Sequence, residues 1–469
     1  MSLPGGGGPC MAVWLTQPLK KMAPKQDFPR RSENSNGIDQ NGLANTGFRH
    51  YPSGRDLALK TSLTWINGKR KDDDVGPYWR IHDKLYDMTN FIDKHPGGKD
   101  WLLVTKGTDI TEAFESSHIN TVAESILPKY YVKDISTPRN SPFTFHEDGF
   151  YKTLKRKVQP ILKKVGKGPT WTMVLMQDAL VLTFILLTVA ACLTHSYTLA
   201  VFAGIVLGMT GNCAHNFFHQ RDNWRMYYFD LLLFSSYDWR ISHGLSHHLF
   251  PNTIYDMEVS ALEPIWEFFP KPDKTFMQRY GFYVYELLVI PIGMFIEVIK
   301  RMCHNYTGEL RLRPENLLPV VELIVMILFA ESVGMAVRMW LVLHMACSSW
   351  FFIIGLIAAH HHPDIYHHGD AVREDKDWGL LQLDAVRDRV EVTGNLFLVS
   401  IAFGDHSLHH LLPTVDHSKL PYLYPAFLET CKEFGIPFKL VRQWDLFIGR
   451  YQQLANITPN PNPPGYKKS

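Results

Sequence analysis

The sequence predicts a chain in two parts, an α+β soluble module followed by an all-α membrane domain with about four transmembrane helices in two hairpins. Between residues 60 and 135, short β-type runs ("YWRIH", "KLYDM") precede helical stretches that are punctuated by Gly and Pro. Between residues 171 and 455, apolar segments approach the ~20 residues that cross a bilayer core. The 22 histidines occur in short bursts, several of them beside those segments. These observations set the predicted fold class and point to metal chemistry.

The segments that flank the two parts are predicted to lack a core of their own. Residues 1–55 contain a Gly run and many Pro, Asn and Ser, so they bury too little apolar surface to offset the entropy of ordering. The run "MAVWLT" within them is shorter than the apolar region of a secretory signal. Residues 456–469 are predicted as a second tail, and residues 136–170 as a basic linker. Its basic residues shortly before the first apolar segment are Lys152, Lys155, Arg156, Lys157, Lys163, Lys164 and Lys167.

Charge and cysteine content argue against three broad classes of protein. With 48 basic and 46 acidic residues, the chain lacks the positive charge of a nucleic-acid-binding protein. The six cysteines are scattered without a CxxC pair, which argues against a cysteine zinc site and a disulfide scaffold. The sequence therefore predicts no nucleic-acid partner and a reducing compartment for the loops.

Two pairs of apolar segments predict the two membrane hairpins. Residues 173–193 and 197–214 are separated only by "THS", and this short turn is poor in Lys and Arg. Residues 317–337 and 339–359 form the second pair, again with a short connection. The basic linker before the first pair is where a cytosolic flank is expected.

Residues 280–299 compete for a fifth span, but they contain two glutamates and a central Pro291. Two hairpins return the chain twice to one side of the membrane and bring the histidine bursts together, whereas a fifth span would separate them. We therefore predict that this segment lies at the membrane interface. Both chain ends and all histidine bursts are then cytosolic, and the glycosylation sequons at Asn305 and Asn456 stay without a glycan.

The motif "HPGG", residues 95–98, is followed by His118 in "FESSHIN". A haem that carries electrons has both axial positions filled, and two histidines from different loops can fill them. Gly97 and Gly98 permit the tight turn that would bring His95 to the ring. The pair His95 and His118 is therefore a candidate haem site.

The residues around this pair, "YWRIHDKLYDMTNFIDKHPGGKDWLL" and "GTDITEAFESSH", resemble the cytochrome b5 domain. The resemblance implies that His95 and His118 are the axial ligands of haem b, and that the module accepts electrons from an NADH-dependent cytochrome b5 reductase. Four acidic residues near the site either steer a basic partner or belong to a solvated face. They are Asp100, Asp109, Glu112 and Glu115.

Three histidine bursts follow the apolar segments at helical spacing. Positions i, i+3 and i+4 share a helix face, so each burst offers two or three imidazoles to one point. Imidazole suits divalent iron, zinc and copper. Eight imidazoles are too many for one ion, so two metals are predicted, without the ExxH carboxylates of soluble di-iron bundles. The eight are His215, His219, His243, His247, His248, His406, His409 and His410.

These motifs, HxxxH, HxxxHH and HxxHH after paired hydrophobic hairpins, resemble the integral-membrane fatty acid desaturases from about residue 140 to 455. "SHHLFPNT", "DWGLLQLDA" and "HSKLPYLYPAFLETCKEFGIPF" extend the resemblance. The fusion of a cytochrome b5 module to such a domain resembles the front-end desaturases, and the whole arrangement is similar to an insect protein of the same organisation. The resemblance implies two non-haem iron ions, an acyl-CoA or phospholipid acyl chain as substrate, and the endoplasmic reticulum membrane.

The desaturase pattern also implies a ninth histidine, from "AAHHHPDIYHHGD". By position relative to the proline, His361 matches best and His360 second, while His362, His367 and His368 are assigned outside the metal shell. His417 in "PTVDH" is assigned a structural role.

Two positions depart from the family pattern. His406 stands where front-end desaturases usually carry Gln, and Asn216 stands where the first motif usually has an acidic residue. The position of a double bond therefore does not follow from the resemblance.

Two alternatives to a desaturase remain open on sequence grounds. Removing hydrogen from an unactivated methylene needs an oxidant stronger than any side chain, so the metals carry the chemistry. A lipid hydroxylase or sphingolipid-acting enzyme on the same scaffold would differ only in the step after hydrogen removal. A membrane-bound electron carrier of the b5 type would keep the haem module without desaturase turnover.

Overall fold

The computed structural model describes residues 46–464, and these form the predicted α+β module followed by a helical domain. The strands pair antiparallel in the order β1-β2-β3, with Trp79 opposite Tyr86. The two β-type runs of the sequence are therefore confirmed as neighbouring strands. The elements of the module are α1 (Ser62–Asp73), β1 (Trp79–Ile81), β2 (Lys84–Tyr86), a 3-10 turn (Thr89–Lys94), α2 (Lys99–Thr105), α3 (Thr111–Ser117), α4 (Val122–Ile126), a second 3-10 turn (Leu127–Tyr130) and β3 (Tyr131–Asp134).

Four of the described helices are long and apolar enough to cross a membrane, as predicted in number. They are α6 (Trp171–Thr194), α7 (Tyr197–Phe218), α11 (Phe282–Tyr306) and α13 (Val333–Leu356). The short helix α5 (Phe150–Val165) precedes them, and α12 (Leu318–Phe329) precedes α13. The remaining α-helices are α8 (Ser236–Trp239), α9 (Met257–Leu262), α10 (Phe276–Tyr280), α14 (Trp378–Asp384), α15 (Leu396–Ile401), α16 (His406–Leu411), α17 (Tyr424–Glu433) and α18 (Gln443–Ala455), and a π-helix (Arg240–His247) follows α8.

The prediction of one helix over 317–337 is wrong. Helix α12 ends at Phe329, and the hydroxyl of Ser332 accepts a hydrogen bond from the backbone N–H of Met335, which caps the start of α13. An uncharged N-cap side chain between two apolar runs ends one helix and begins the next. Hydropathy averaged over the length of a membrane span does not reveal this turn, because the apolar residues on both sides of it outweigh its few polar residues.

Helix α11, which the sequence assigned to the interface, has the length and hydropathy of a span. Its two ends nevertheless contact the soluble side of the molecule. Glu286 pairs with Arg450 at 2.6 Å, and the His304 ring lies 3.3 Å from the Thr61 hydroxyl. These contacts favour the interfacial position, which stays a prediction.

The turns of the two hairpins lie side by side. His195 approaches Glu331 to 3.5 Å, and Arg338 donates a hydrogen bond to the Tyr197 hydroxyl at 3.2 Å. The histidine bursts follow the opposite ends of α7 and α13. Both hairpins therefore return the chain to the same end of the helix bundle.

Three predicted segment boundaries are corrected by the packing. Phe48 is buried in the core, so the disordered tail predicted for 1–55 is too long, while residues 1–45 lie outside the described part of the chain. The predicted linker 136–170 contains α5, whose apolar face buries Phe150, Leu154 and Val158. The prediction of a linker is wrong because α5 is amphipathic, and its many lysines make the sequence look like a solvated segment. Part of the predicted tail 456–469 is also packed, since Asn460 hydrogen-bonds Asp370.

The four acidic residues that the sequence placed near the haem site are engaged within this chain. Asp109, Glu112 and Glu115 are buried, and Asp100 pairs with Arg313 at 2.9 Å. Arg139 pairs with both Asp109 (2.7 Å) and Glu112 (2.5 Å). Lys152 and Lys155 each lie 2.9 Å from Glu115. The module is thus joined electrostatically to the following segment of its own chain.

We expect Glu115→Gln to destabilise the fold by about 3 kcal/mol at pH 7, because Lys152 and Lys155 would lose a buried partner. Burial alone raises the pKa of Glu115, but the hydrogen bond from His82 and the charges of Lys155 and Lys152 outweigh it and hold this pKa well below its usual value. The stabilisation is therefore present above pH 4.5 and is lost as the pH falls through the folded-state pKa. Denaturant unfolding at neutral and acidic pH measures it.

The exposed Glu124→Gln is the matched control and should change stability by less than about 0.5 kcal/mol. Equal effects of the two substitutions at pH 7 would contradict the inferred role of Glu115.

Candidate metal centres and haem site

Nine histidines converge into two adjacent groups, all of them buried. Within each group the ligand nitrogens lie within 4.8 Å of one another. Group one contains His215, His219, His243, His248 and His409. Group two contains His247, His360, His406 and His410. The prediction of two metals from these bursts therefore corresponds to two separate donor sets.

The nitrogen spacing in group one fits a metal ion better than hydrogen bonds. Nε2 of His215 lies 2.7 Å from Nε2 of His243, 3.0 Å from that of His219 and 3.2 Å from that of His409. An imidazole carries at most one hydrogen on this atom, so it cannot donate to three neighbours. Ligand nitrogens at right angles around an ion at ~2.1 Å are ~3 Å apart. The donor set therefore suits a divalent transition metal.

Group two shows the same spacing. Nε2 of His360 lies 2.8 Å from Nε2 of His406 and 3.0 Å from that of His247. Nε2 of His410 is buried without a hydrogen-bond partner among the described residues. A bound cation would satisfy this orphaned atom, whose burial is otherwise costly.

The second burst is divided between the groups because it lies on a π-helix, Arg240–His247. The backbone N–H of His248 donates to the carbonyl of His243 at 2.8 Å, an i to i+5 bond that places these two rings together. His247, which would share a face with His243 in an α-helix, joins group two instead. The prediction that each burst converges on one point is therefore wrong for this burst.

The third burst is also divided. His406 and His410, one turn apart on α16, join group two, while His409 joins group one. The rings of His248 and His410 stack at 4.1 Å with an interplanar angle of 15°, although they belong to different groups. The two donor sets therefore share a wall of histidine rings.

Hydrogen bonds at Nδ1 orient the rings and leave Nε2 free for a metal. Carboxylate or carbonyl partners of this kind fix the tautomer and strengthen metal binding. The partners are Glu258 for His243 (2.7 Å), Asp256 for His247 (2.9 Å), the Ala385 carbonyl for His360 (2.9 Å) and Gln382 for His410 (3.0 Å).

The pKa of His247 is shifted in the opposite direction from the pKa values of His248, His360 and His410. Burial lowers the pKa of His248, His360 and His410 well below its usual value, so these rings are neutral and able to bind a metal. Burial also acts to lower the pKa of His247, but Asp256 and Glu258 outweigh it and raise this pKa to about 9. The two carboxylates thus favour positive charge at His247, which a metal ion can supply in place of the proton.

The ninth histidine that the structure brings into the two groups is His360, the second choice of the sequence, and not His361. The His361 ring stacks on Phe268, with centroids 3.5 Å apart, and lies outside both groups. His360 and His361 are neighbours in "AAHHH", but their side chains point in different directions. The residue types alone do not indicate which of the two faces the other histidines. His362, His367 and His368 also lie outside the groups.

Polar side chains beside the groups tie the histidine bursts to other segments, and two of them, Gln220 and Asp416, were not singled out from the sequence. Asn252 donates hydrogen bonds to the carbonyls of His360 and Tyr366, each at 2.9 Å. Asp416 accepts from both Asn216 and Gln220 at 2.8 Å. A carboxylate from beside the third motif therefore contacts Asn216, the position where the first motif usually has an acidic residue.

His417 has an orienting position. Its Nε2 lies 3.2 Å from Nδ1 of His409, and its backbone N–H donates to the Asn216 side chain. This geometry is consistent with the predicted structural role.

The haem module places His95 and His118 opposite each other, with ring centroids 6.3 Å apart. Nδ1 of His95 lies 2.9 Å from the Gly98 carbonyl, and Nδ1 of His118 lies 2.9 Å from the Phe114 carbonyl. Both rings therefore keep Nε2 for an axial bond. Burial lowers the pKa of His118 to about 4, which leaves it neutral. The donor pair fits haem b.

We expect Asp256→Asn to weaken metal binding in group two by about 10- to 100-fold, because His247 loses the carboxylate that orients it. Iron content after dialysis against a graded series of chelator concentrations measures this change, with the haem absorbance as internal reference. Asp370→Asn is the control, since this buried carboxyl bonds the backbone of His367 and Asn460. If both variants release iron alike, the loss reflects general destabilisation.

Comparison with known families identifies both parts. Residues 193–442 match the fatty acid desaturase model, and residues 65–136 match the model for cytochrome b5-like haem or steroid binding domains. No solved structure matches the chain.

Several relatives align with most of the chain. The cytochrome b5-related protein of Drosophila melanogaster is 43% identical over 89% of this chain and 97% of its own length. The Delta(5) fatty acid desaturase A of Dictyostelium discoideum is 24% identical over 77% of this chain and 86% of its own. The acyl-lipid (8-3)-desaturase of Mortierella alpina is 23% identical over 81% and 94%. The chain therefore belongs to the fatty acid desaturase family, with a fused cytochrome b5-like domain, and is related to front-end desaturases.

Proposed function

We propose that this protein is an O2-dependent desaturase that introduces a double bond into a lipid acyl chain. Its two histidine groups would each hold one non-haem iron, and its own cytochrome b5 domain would supply the electrons. An NADH-dependent cytochrome b5 reductase would recharge the haem. The site would face the cytosol from the endoplasmic reticulum membrane. The two hairpins support a single side for all the histidines, because both return the chain to the same end of the bundle.

The observation that carries this proposal is an apolar cavity that ends at the metal ligands. Its volume is about 1120 Å³ including its open mouth. Its polar wall includes His243, His247, His360 and His406. Its apolar lining comes from Phe234, Trp239, Val259, Leu262, Phe351, Phe352, Leu356 and Phe403. An apolar cavity lined on one side by the histidines of both groups fits an acyl chain and is poorly suited to a polar substrate.

The residues of the cavity have distinct tasks. Phe351, Phe352 and Phe403 exclude water and hold a chain against the histidine wall. Lys300 and Glu297, which pair at 2.5 Å, are polar lining residues. A polar head group would remain beside such residues while the chain is buried. Bound iron would supply the activation of O2 that an unactivated C–H bond requires.

Expression in cells that lack their own desaturase, followed by analysis of all lipid classes, tests the proposal. New double bonds are expected with the wild-type chain and not with His247→Ala, provided that the variant still shows the haem spectrum. The same product from both would contradict the role of group two.

Two outcomes would replace the proposal. Hydroxylated lipids in place of unsaturated ones would indicate a hydroxylase on this scaffold. Haem iron alone, without two further irons per chain, would indicate a membrane-bound electron carrier. Mass spectrometry of lipids and metal analysis of the purified protein distinguish these outcomes.

A further inference from the structure

The haem module docks on the metal-binding domain through the loop that carries His95. The backbone N–H of Asp222 donates to the Gly97 carbonyl at 3.2 Å, and the Asp222 carboxylate lies where a side chain at residue 98 would be. Gly98 has φ of 114°, a conformation that favours glycine. Asp222 follows His219 of group one by three residues. The axial-ligand loop therefore contacts the metal-binding segment directly.

Trp101 extends this contact toward the first metal group. It lies on α2, one turn after Gly98, whose carbonyl is 2.9 Å from Nδ1 of His95. A β-carbon placed on Gly244 would lie 3.3 Å from Cη2 of Trp101 and 4.0 Å from Cε1 of His219. The indole and the imidazole of a metal ligand thus border the same point above Gly244. A larger residue at 244 would occupy that point.

Arg240 fixes the indole in this position. Its guanidinium carbon lies 4.9 Å from the Trp101 ring centre, and the same side chain bonds Asp222 at 2.6 Å and the Phe218 carbonyl at 2.9 Å. Arg240 is buried. A cation held between an aromatic ring and a carboxylate restrains both partners.

We propose that Trp101 is a positioning residue for electron transfer, which couples the haem module to group one across Gly244. This inference rests on the proposed function. One electron would leave ferrous haem, which becomes ferric, and reduce one ferric non-haem iron to ferrous, without proton transfer. The reductase would return the electron to the haem.

The experiment uses the full chain with haem and both irons oxidised, without O2 and without lipid. A flash-generated reductant delivers less than one electron per molecule, and the decay of the ferrous haem absorbance reports transfer to the non-haem iron. We expect Trp101→Leu to slow this decay severalfold and Trp101→Phe to restore most of the rate. The haem midpoint potential and the iron content should not change. Leu103→Ala, an exposed residue on the same helix, is the control and should decay like wild type.

The outcomes separate the two proposals. A wild-type protein with two irons but no decay would contradict the proposed electron supply. Wild-type decay with an equal rate in Trp101→Leu would overturn the role of Trp101 and leave the proposed function intact. A changed midpoint potential or a loss of iron in Trp101→Leu would also overturn it, because the residue would then act on the cofactors rather than on their coupling.

Discussion

Replacing His360 by alanine should abolish product formation and remove the iron of group two, whereas replacing His361, which lines the cavity but belongs to neither group, should preserve that iron. The two residues are adjacent, yet His360 lies between His247 and His406 and His361 stacks on Phe268. Loss of a direct ligand should exceed the ~10- to 100-fold effect expected for a partner that only orients a ligand. Iron analysis of the purified variants and lipid analysis of the expressing cells measure both effects.

The paired design makes this experiment decisive. Both variants should keep the haem absorbance, since neither residue contacts the haem module. If His361→Ala lost one iron per chain while His360→Ala kept it, the assignment of the ninth ligand would be reversed.

Replacing His118 by alanine should abolish haem binding and reduce product formation to the background of the host, while both non-haem irons remain. His118 is one of two axial candidates, and the Phe114 carbonyl holds its ring in the tautomer that leaves Nε2 free. Loss of the Soret band, metal analysis and lipid analysis together measure the result.

His146→Ala is the control for this prediction, because His146 lies outside the haem pair and both metal groups. It should keep the haem spectrum and the product. Full product formation by His118→Ala would show that electrons reach the metal site without the fused module.

The sequence was sufficient to single out His95 and His118, which face each other in the structure, because both lie within one short module whose loops have defined spacing. It was also sufficient to single out eight of the nine histidines that converge into the two groups, since each of the eight lies in a burst at helical intervals. It did not reveal how the bursts are divided. The assignment of His243 and His248 to one group depends on the π-helix, and nothing in "HGLSHH" distinguishes that geometry from an α-helix.

The remaining errors have physical causes of the same kind. His360 and His361 are the same residue type and differ in where their side chains point. The Ala385 carbonyl orients the ring of His360, and Phe268 stacks on the ring of His361. In the sequence alone, the acidic residues of the haem module look like those of a solvated surface. In the structure, Arg139 pairs with two of them, Asp109 and Glu112. Such pairings join residues far apart in the chain and require the folded structure.

The stacked rings of His248 and His410 have a consequence for how the protein acquires its metals. His248 would bind the ion of group one and His410 the ion of group two. The first ion to bind would therefore fix both stacked rings in place and prepare the second site. Loading should therefore be cooperative, and a titration of metal-free protein should pass from empty to doubly occupied chains with few singly occupied ones. The cell would then contain this protein mainly in two forms, complete or without iron.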